Sequence, residues 1–187
     1  MAERPWRPTR AQLDAAKDKT VPDLLRPGLD ILLVGINPGL YTAAIGHHFG
    51  RPGNRFWPAL SGSGLLREPL TAWESERLLE SGLGITNVVR RATATADQLS
   101  PEELRRGAKV LRAKILKHKP RLAAMLGLGL YRVAFERPKA QLGLQEEKIG
   151  ETLLYVLPNP SGLNAHFQVP DYIRLFKDVG RLVGRAL

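Results

Sequence analysis

Apolar residues along this 187-residue chain fall into short runs separated by stretches of helical spacing. The run Asp30–Ile36 is nearly continuous in Ile, Leu and Val and is closed by Asn37-Pro38-Gly39. Such a run, bounded by turn residues, reads as a strand buried on both faces. Gly84–Val89 is a second and weaker run. Arg121–Leu126 is a third, followed by glycines at 127 and 129, and Thr152–Leu157 is a fourth, ended by Pro158-Asn159-Pro160. Between the runs lie helical signals. Thr71 and Glu74 have capping-box spacing, and the segment they open ends at Ser81-Gly82. Ser100-Pro101-Glu102-Glu103 supplies a cap, a proline at the first helical position and an acid three residues after the cap. The helix it opens sets Leu104, Ala108, Leu111 and Ile115 on one face and Arg105, Arg106, Lys109, Arg112, Lys114 and Lys117 on the others. A last helix from Tyr172 buries Phe176, Val179 and Val183.

Strands that alternate with helices predict an α/β fold with a parallel sheet covered on both faces. Ligands of such sheets sit outside the carboxyl ends of the strands. Gly35–Leu40 and Pro158–Asn164 fall at two of those ends, so segments far apart in sequence can form one site. Residues 1–28 are polar and contain proline, with one short helix expected near Ala11–Lys17. They read as a partly flexible N-terminal extension to a single domain over 29–187.

Composition narrows the chemistry. The chain has no cysteine, which excludes disulfides, a thiolate nucleophile, Cys-ligated zinc and an iron–sulfur cluster. Its four histidines, His47, His48, His118 and His166, have no metal-binding spacing, so neither metal nor other cofactor is expected. A net charge of +10 makes a polyanion such as nucleic acid the natural partner. No apolar run approaches the roughly 20 residues of a membrane span, and Met1–Arg10 lacks the apolar core of a secretory signal. The expected location is the cytoplasm, with association to the nucleoid.

Three motifs carry candidate chemistry. In Gly35-Ile36-Asn37-Pro38-Gly39-Leu40, glycine and proline fix a turn and let backbone approach a ligand. Asn37 offers an amide that can hold a water molecule; an Asx turn capping the strand is the plain structural alternative. Asn159-Pro160-Ser161-Gly162-Leu163-Asn164 repeats the pattern of strand end, proline, small residues and one apolar side chain. Spacing alone favours a loop with Leu163 packed into the core. The third motif, Gly46–Trp57, joins glycines, Phe49 and two arginines, Arg51 and Arg55. An aromatic beside a backbone-rich pocket can stack on a base, and arginines can contact phosphate. Phe56 and Trp57 read as core anchors.

Together these segments resemble the mismatch-specific uracil and thymine DNA glycosylases. The block GINPGLYTAAIGHHFGRPGNRFW is similar to that family's pocket segment, GITNVVRRAT to its middle segment and LPNPSGLN to its DNA-insertion loop. The order and spacing agree from about Pro27 to Val183. The resemblance implies a three-layer α/β/α sandwich around a four-stranded parallel central sheet. It implies that Asn37 positions the attacking water, and that Phe49 stacks on the flipped base while backbone at Ile36 and Phe49 reads its edge. Gly35, Pro38, Gly39, Thr42, His48 and Asn159 would complete the base pocket, with Thr42 near the 5-position of the base. Ser161, Gly162, Leu163 and Asn164 would enter or grip the duplex, Leu163 as the wedge and Ser161 on a phosphate, beside Arg51 and Arg55.

A monomer acting on double-stranded DNA with mispaired or damaged pyrimidines is thus expected. Faster relatives carry an acid at the position of Asn37 and a histidine at that of Asn159, so this chain is expected to be slower and broader in substrate. Asp97 is a further water-activating candidate if its loop folds over the site; a solvated loop acid is the alternative. Arg90 and His166 are further candidates for DNA contact. Two other readings stay open: a hydrolase of free nucleosides, with no need of Leu163, and a non-catalytic DNA-binding module, with no need of Asn37.

Overall fold

The computed structural model describes residues 6–187. Its core is a sheet of five strands: β1 (Ile31–Gly35), β2 (Leu83–Asn87), β3 (Leu122–Leu126), β4 (Gly143–Ile149) and β5 (Thr152–Leu157). Their spatial order is β2-β1-β3-β5-β4. The first three in that order and β5 run parallel, in register Ile31 with Leu83 and Leu122, and Leu122 with Leu153. These four are the strands read from the apolar runs. The expected all-parallel, four-stranded sheet needs correction, because β4 adds a fifth strand antiparallel to β5. Its sequence, GLQEEKI, is mostly polar and its residues alternate between partly covered and exposed. A charged strand suits a sheet edge, where unpaired backbone would otherwise invite association, but it hides the strand from a hydrophobicity pattern.

Side-chain alternation along the parallel strands builds two separate cores. Ile31, Leu33, Ile85, Ala124 and Leu157 face one side, under α3 (Phe56–Gly62), a 3₁₀ helix (Ala72–Ser81) and α6 (Val169–Leu182). Leu32, Val34, Ala123, Met125 and Val156 face the other, under α4 (Pro101–His118) and α5 (Leu128–Ala134). The expected capping boxes form at Thr71/Glu74 and at Ser100/Glu103. Tyr172, Phe176 and Val179 of α6 are fully buried, as their helical spacing demands.

The short N-terminal helix α1 (Arg10–Asp14) begins at Thr9, which forms a capping box with Gln12. Beyond it the chain lies against the domain. Ala16 and Val21 are buried, and Leu24 pairs with Ile85 along the outer edge of β2. Asp23 accepts hydrogen bonds from Thr86 (2.8 Å) and Lys114 (2.5 Å), tying this segment to β2 and α4. Among the described residues, no helix is long and apolar enough to cross a membrane.

Candidate functional site

The carboxyl ends of β1, β2, β3 and β5 open onto a cleft of about 440 Å³. It is lined by Gly35–Gly39, Thr42, His48, Phe49, Arg51 and Asn54, by Asn87 and Thr93–Ala96, and by Leu126, Asn159, Ser161, Leu163 and Asn164. All three motifs therefore meet in one place, from positions more than 120 residues apart. A larger hollow of about 660 Å³ lies against the β4 edge, but none of the motif residues lines it. Among the described residues no three acidic or histidine side chains gather as a metal centre requires.

Asn37 sits just past β1, where Ile36 and Pro38 accept backbone hydrogen bonds from Val89 (2.9 Å) and Thr93 (3.2 Å). Its side-chain nitrogen donates to the Arg91 carbonyl (3.0 Å) and to Thr93 Oγ1 (2.7 Å). A carbonyl can only accept, so the group facing Arg91 is the NH₂. Thr93 gives its one hydroxyl proton to the Thr95 carbonyl (2.8 Å) and must accept from Asn37. Both amide protons are engaged and the amide orientation is fixed. The remaining polar atom, Oδ1, has no hydrogen-bond partner among the described residues and is an acceptor available at the cleft. This is not the Asx turn that the local sequence also allows.

Phe49 adopts a left-handed backbone conformation (φ 53°), unusual for a residue with a bulky side chain. Its ring stacks on Phe56 with centroids 4.0 Å apart and planes 17° apart, which covers one face, and the half-buried side chain lines the cleft. Phe56 and Trp57 are buried, as expected of core anchors, and Trp57 Nε1 donates to the carbonyl of His48 (2.9 Å). Gly35 forms the floor beneath. A Cβ there would lie 2.4 Å from Asn87 Oδ1 and 3.2 Å from Phe49 Cζ, so only glycine lets both side chains close over the strand end.

Asn87 was not read as a site residue from the sequence. It ends β2 opposite Gly35, is buried, lines the cleft, and its amide makes no hydrogen bond among the described residues. Its polarity did not set it apart in the sequence, because Thr86 before it in the same strand is polar and buried too. The rim Thr93–Ala96 was missed for a different reason: it joins the cleft only through its contacts with Pro38 and Asn37.

His48 and Thr42 are both buried and both line the cleft. His48 Nε2 lies 2.8 Å from the Pro22 carbonyl, which can only accept. The ring therefore carries its proton on Nε2 and keeps Nδ1 as an acceptor. Burial is the main influence on its pKa and lowers it, outweighing the bond to Pro22 and the nearby charge of Asp23. The imidazole is neutral at neutral pH.

The 159–164 loop is held from several sides. Asn159 Oδ1 accepts from Ser161 N (3.1 Å), and the Asn159 carbonyl accepts from Tyr172 (2.6 Å) and from the Asn164 amide (3.1 Å). Arg55 Nη1 donates to the carbonyls of Ser161 and Asn164, both at 2.8 Å. Arg55 Nη1 thus fastens this loop, a role its sequence context did not suggest. Gly162 packs so closely that a Cβ would meet the Gly53 carbonyl at 2.7 Å. Leu163 is 77 % exposed, so it does not pack into the core as spacing alone favoured. Arg51 is exposed on the rim of the cleft.

Three other candidates stand apart. Asp97 lies in an exposed 3₁₀ turn (Ala96–Gln98) and does not line the cleft. Arg90 and His166 are also exposed and outside it.

Comparison with known proteins bears on the fold and the family. The solution NMR structure of a uracil DNA glycosylase candidate from Methanosarcina acetivorans superposes with a TM-score of 0.55 at 20 % identity, covering 87 % of this chain and 98 % of that one. That likeness establishes a shared fold. Residues 22–179 match the profile of the Uracil DNA glycosylase superfamily, and the chain belongs to that superfamily.

Proposed function

We propose that this protein is a monofunctional DNA glycosylase that removes uracil, preferentially where it is mispaired with guanine, by hydrolysing the bond between base and sugar. Thymine and other modified pyrimidines would be slower substrates. The observation that carries the reading is the locked Asn37 amide, whose one unengaged atom is an acceptor at a cleft that Phe49 also lines.

A base inside a duplex is unreachable, and turning it out costs a few kcal/mol, least when it is mispaired. Leu163, projecting from a loop braced by Arg55 and Tyr172, would fill the space the base leaves. The flipped base would stack on Phe49. Its edge, with two carbonyls and one N–H, would meet the Asn87 amide, the Nδ1 of His48 and backbone N–H groups near Ile36 and Phe49. Thr42 would lie by the 5-position, where thymine carries its methyl group.

Cleavage breaks the bond between base nitrogen and sugar C1′, sending the electron pair to the base. Donors aimed at the developing anion lower the barrier most. A water held on Asn37 Oδ1 then adds its oxygen to C1′, and its surplus proton passes to solvent or to the departing base. A carboxamide orients water without removing its proton, so the reaction should be slow compared with carboxylate-assisted hydrolysis. No lysine lines the cleft, which supports hydrolysis without an amine-driven strand break.

Leu163 argues against a free-nucleoside hydrolase, which has no gap to fill, and the locked Asn37 argues against a purely binding module. The test is alkali-revealed strand cleavage on duplexes with a single G·U, A·U or G·T pair, alongside free deoxyuridine. The expected order is G·U first, with deoxyuridine untouched. Turnover of deoxyuridine alone would refute the reading.

A further inference from the structure

From the hydrogen bonds behind the cleft we infer that Arg91, held by Glu103, is a positioning residue that aligns Asn37 through its own backbone carbonyl. The inference rests on the glycosylase reading, because it concerns the water that Asn37 would orient.

Asn37 sees Arg91 only through the main chain, the Arg91 carbonyl accepting one of its two amide protons at 3.0 Å. The other proton goes to Thr93, two residues on. The orientation of Oδ1 is therefore set by the position of a three-residue segment. That segment belongs to no helix or strand, so its place must come from elsewhere.

The Arg91 side chain supplies it. Nε and Nη2 donate to the two carboxylate oxygens of Glu103 at 2.7 and 3.0 Å, a bidentate pair that fixes direction as well as distance. Nη1 reaches Asp18 at 3.2 Å and Nη2 also reaches the Gln98 carbonyl at 3.2 Å. Glu103 is itself immobilised. It closes the capping box of α4, accepting from Ser100 N at 3.0 Å, so the guanidinium is anchored to the first turn of the longest helix. Next to Arg91, Ala92 exchanges backbone hydrogen bonds with the N-terminal segment, accepting from Asp18 N (3.0 Å) and donating to the Lys19 carbonyl (2.8 Å). Thr93 N closes the circle on Pro38. The Arg91 segment is thus held between α4, the N-terminal segment and the turn that carries Asn37.

A bracing arginine with no bearing on the site would affect folding alone. The arrangement here makes a sharper demand. Loss of the guanidinium leaves the carbonyl that orders the Asn37 amide held only by the main-chain bonds of Ala92 and Thr93 and free to shift, while Phe49, Asn87 and Leu163 keep their supports. Base capture should survive and the hydrolytic step should not.

The test compares Arg91→Met with the unaltered protein on three readouts. These are the single-turnover rate on a G·U duplex, the Kd for the same duplex carrying uncleavable 2′-fluoro-2′-deoxyuridine, and the Asn37 side-chain NH₂ signals in ¹⁵N-labelled protein, assigned by their loss in Asn37→Ala. The expected result is a rate lowered roughly ten- to a hundredfold, a Kd within about twofold, and Asn37 NH₂ signals moved toward those of a solvent-exposed amide. Arg91→Lys, which keeps charge without the bidentate geometry, should fall between. If Arg91→Met does not unfold cooperatively, Glu103→Gln is carried through the same measurements. An unchanged rate, a rate that falls with the Asn37 signals unmoved, or a Kd that weakens in step with the rate would each overturn the inference. No cleavage by the unaltered protein would instead sink the glycosylase reading, and this inference with it.

Discussion

Truncating Leu163 to alanine should separate folding from function. The side chain is 77 % exposed, so its loss should change stability by no more than about 0.5 kcal/mol. The loop itself should persist. Its shape comes from Arg55 on two carbonyls, from Asn159 on Ser161 N and from the close seat of Gly162 on Gly53, none of which uses the leucine side chain. If that side chain enters a flipped-out duplex, three carbon groups pass from water into the base stack. At about 0.8 kcal/mol per group, scaled for the exposed fraction, the loss is about 2 kcal/mol, or roughly thirtyfold in Kd. The loss should fall on lesion-bearing DNA and spare the weak, salt-dependent binding of undamaged duplex. Fluorescence anisotropy with an uncleavable G·U duplex and with its G·C counterpart measures both, and a thermal melt gives the stability control. Equal binding of the lesion duplex by Leu163→Ala and the unaltered protein would refute the wedge argument.

Arg55→Met should release the same loop from the other side, weakening lesion binding at least as much as Leu163→Ala and raising amide hydrogen exchange across residues 161–164; an unchanged exchange pattern would count against the fastening role. Gly35→Ala should cost roughly 1–3 kcal/mol in chemical denaturation, because its methyl group would collide with the Asn87 amide, and it should slow uracil removal by displacing Asn87 and Phe49 together. The lowered pKa of His48 makes stability pH-dependent. The unfolded chain takes up this proton near the ordinary histidine value while the folded chain resists it, so stability is complete above that value and falls as pH drops toward the folded pKa. Melting temperatures across pH 7 to 5 should therefore decline, and His48→Gln, which keeps a donor for the Pro22 carbonyl, should flatten the decline; identical slopes would show that other groups are responsible.

Three of the parallel strands were legible because each is a buried apolar run closed by glycine or proline, β2 less so because it ends in Thr86-Asn87 with neither after it, and the α4 and α6 helices because caps and spacing agree. What escaped notice did so for physical reasons. β4 is polar because it lies at an edge. The helix α2 (Leu40–Ile45) is only six residues long, ends at left-handed Gly46 and lies between the two glycine-bearing motifs, with no cap or long apolar spacing to mark it. Within the site, residues that act through local sequence, such as Asn37, Phe49 and the 159–164 loop, could be named in advance. Asn87 could not be told from a core position, and the support of Asn37 by Thr93 and Arg91 spans more than 50 residues, which no local pattern reveals. Arg55 shows a role the sequence did not suggest: beside any phosphate contact its charge invites, its Nη1 holds two carbonyls of the protein's own loop.

The most direct measurement is the single-turnover release of uracil from a G·U duplex by the unaltered protein and by Asn37→Ala, with enzyme in excess and lesion binding measured in parallel. A rate lost by a hundredfold or more, with binding retained, is the expected result. A rate that survives the substitution would contradict the assignment of the attacking water to Asn37, and with it the central reading of the cleft.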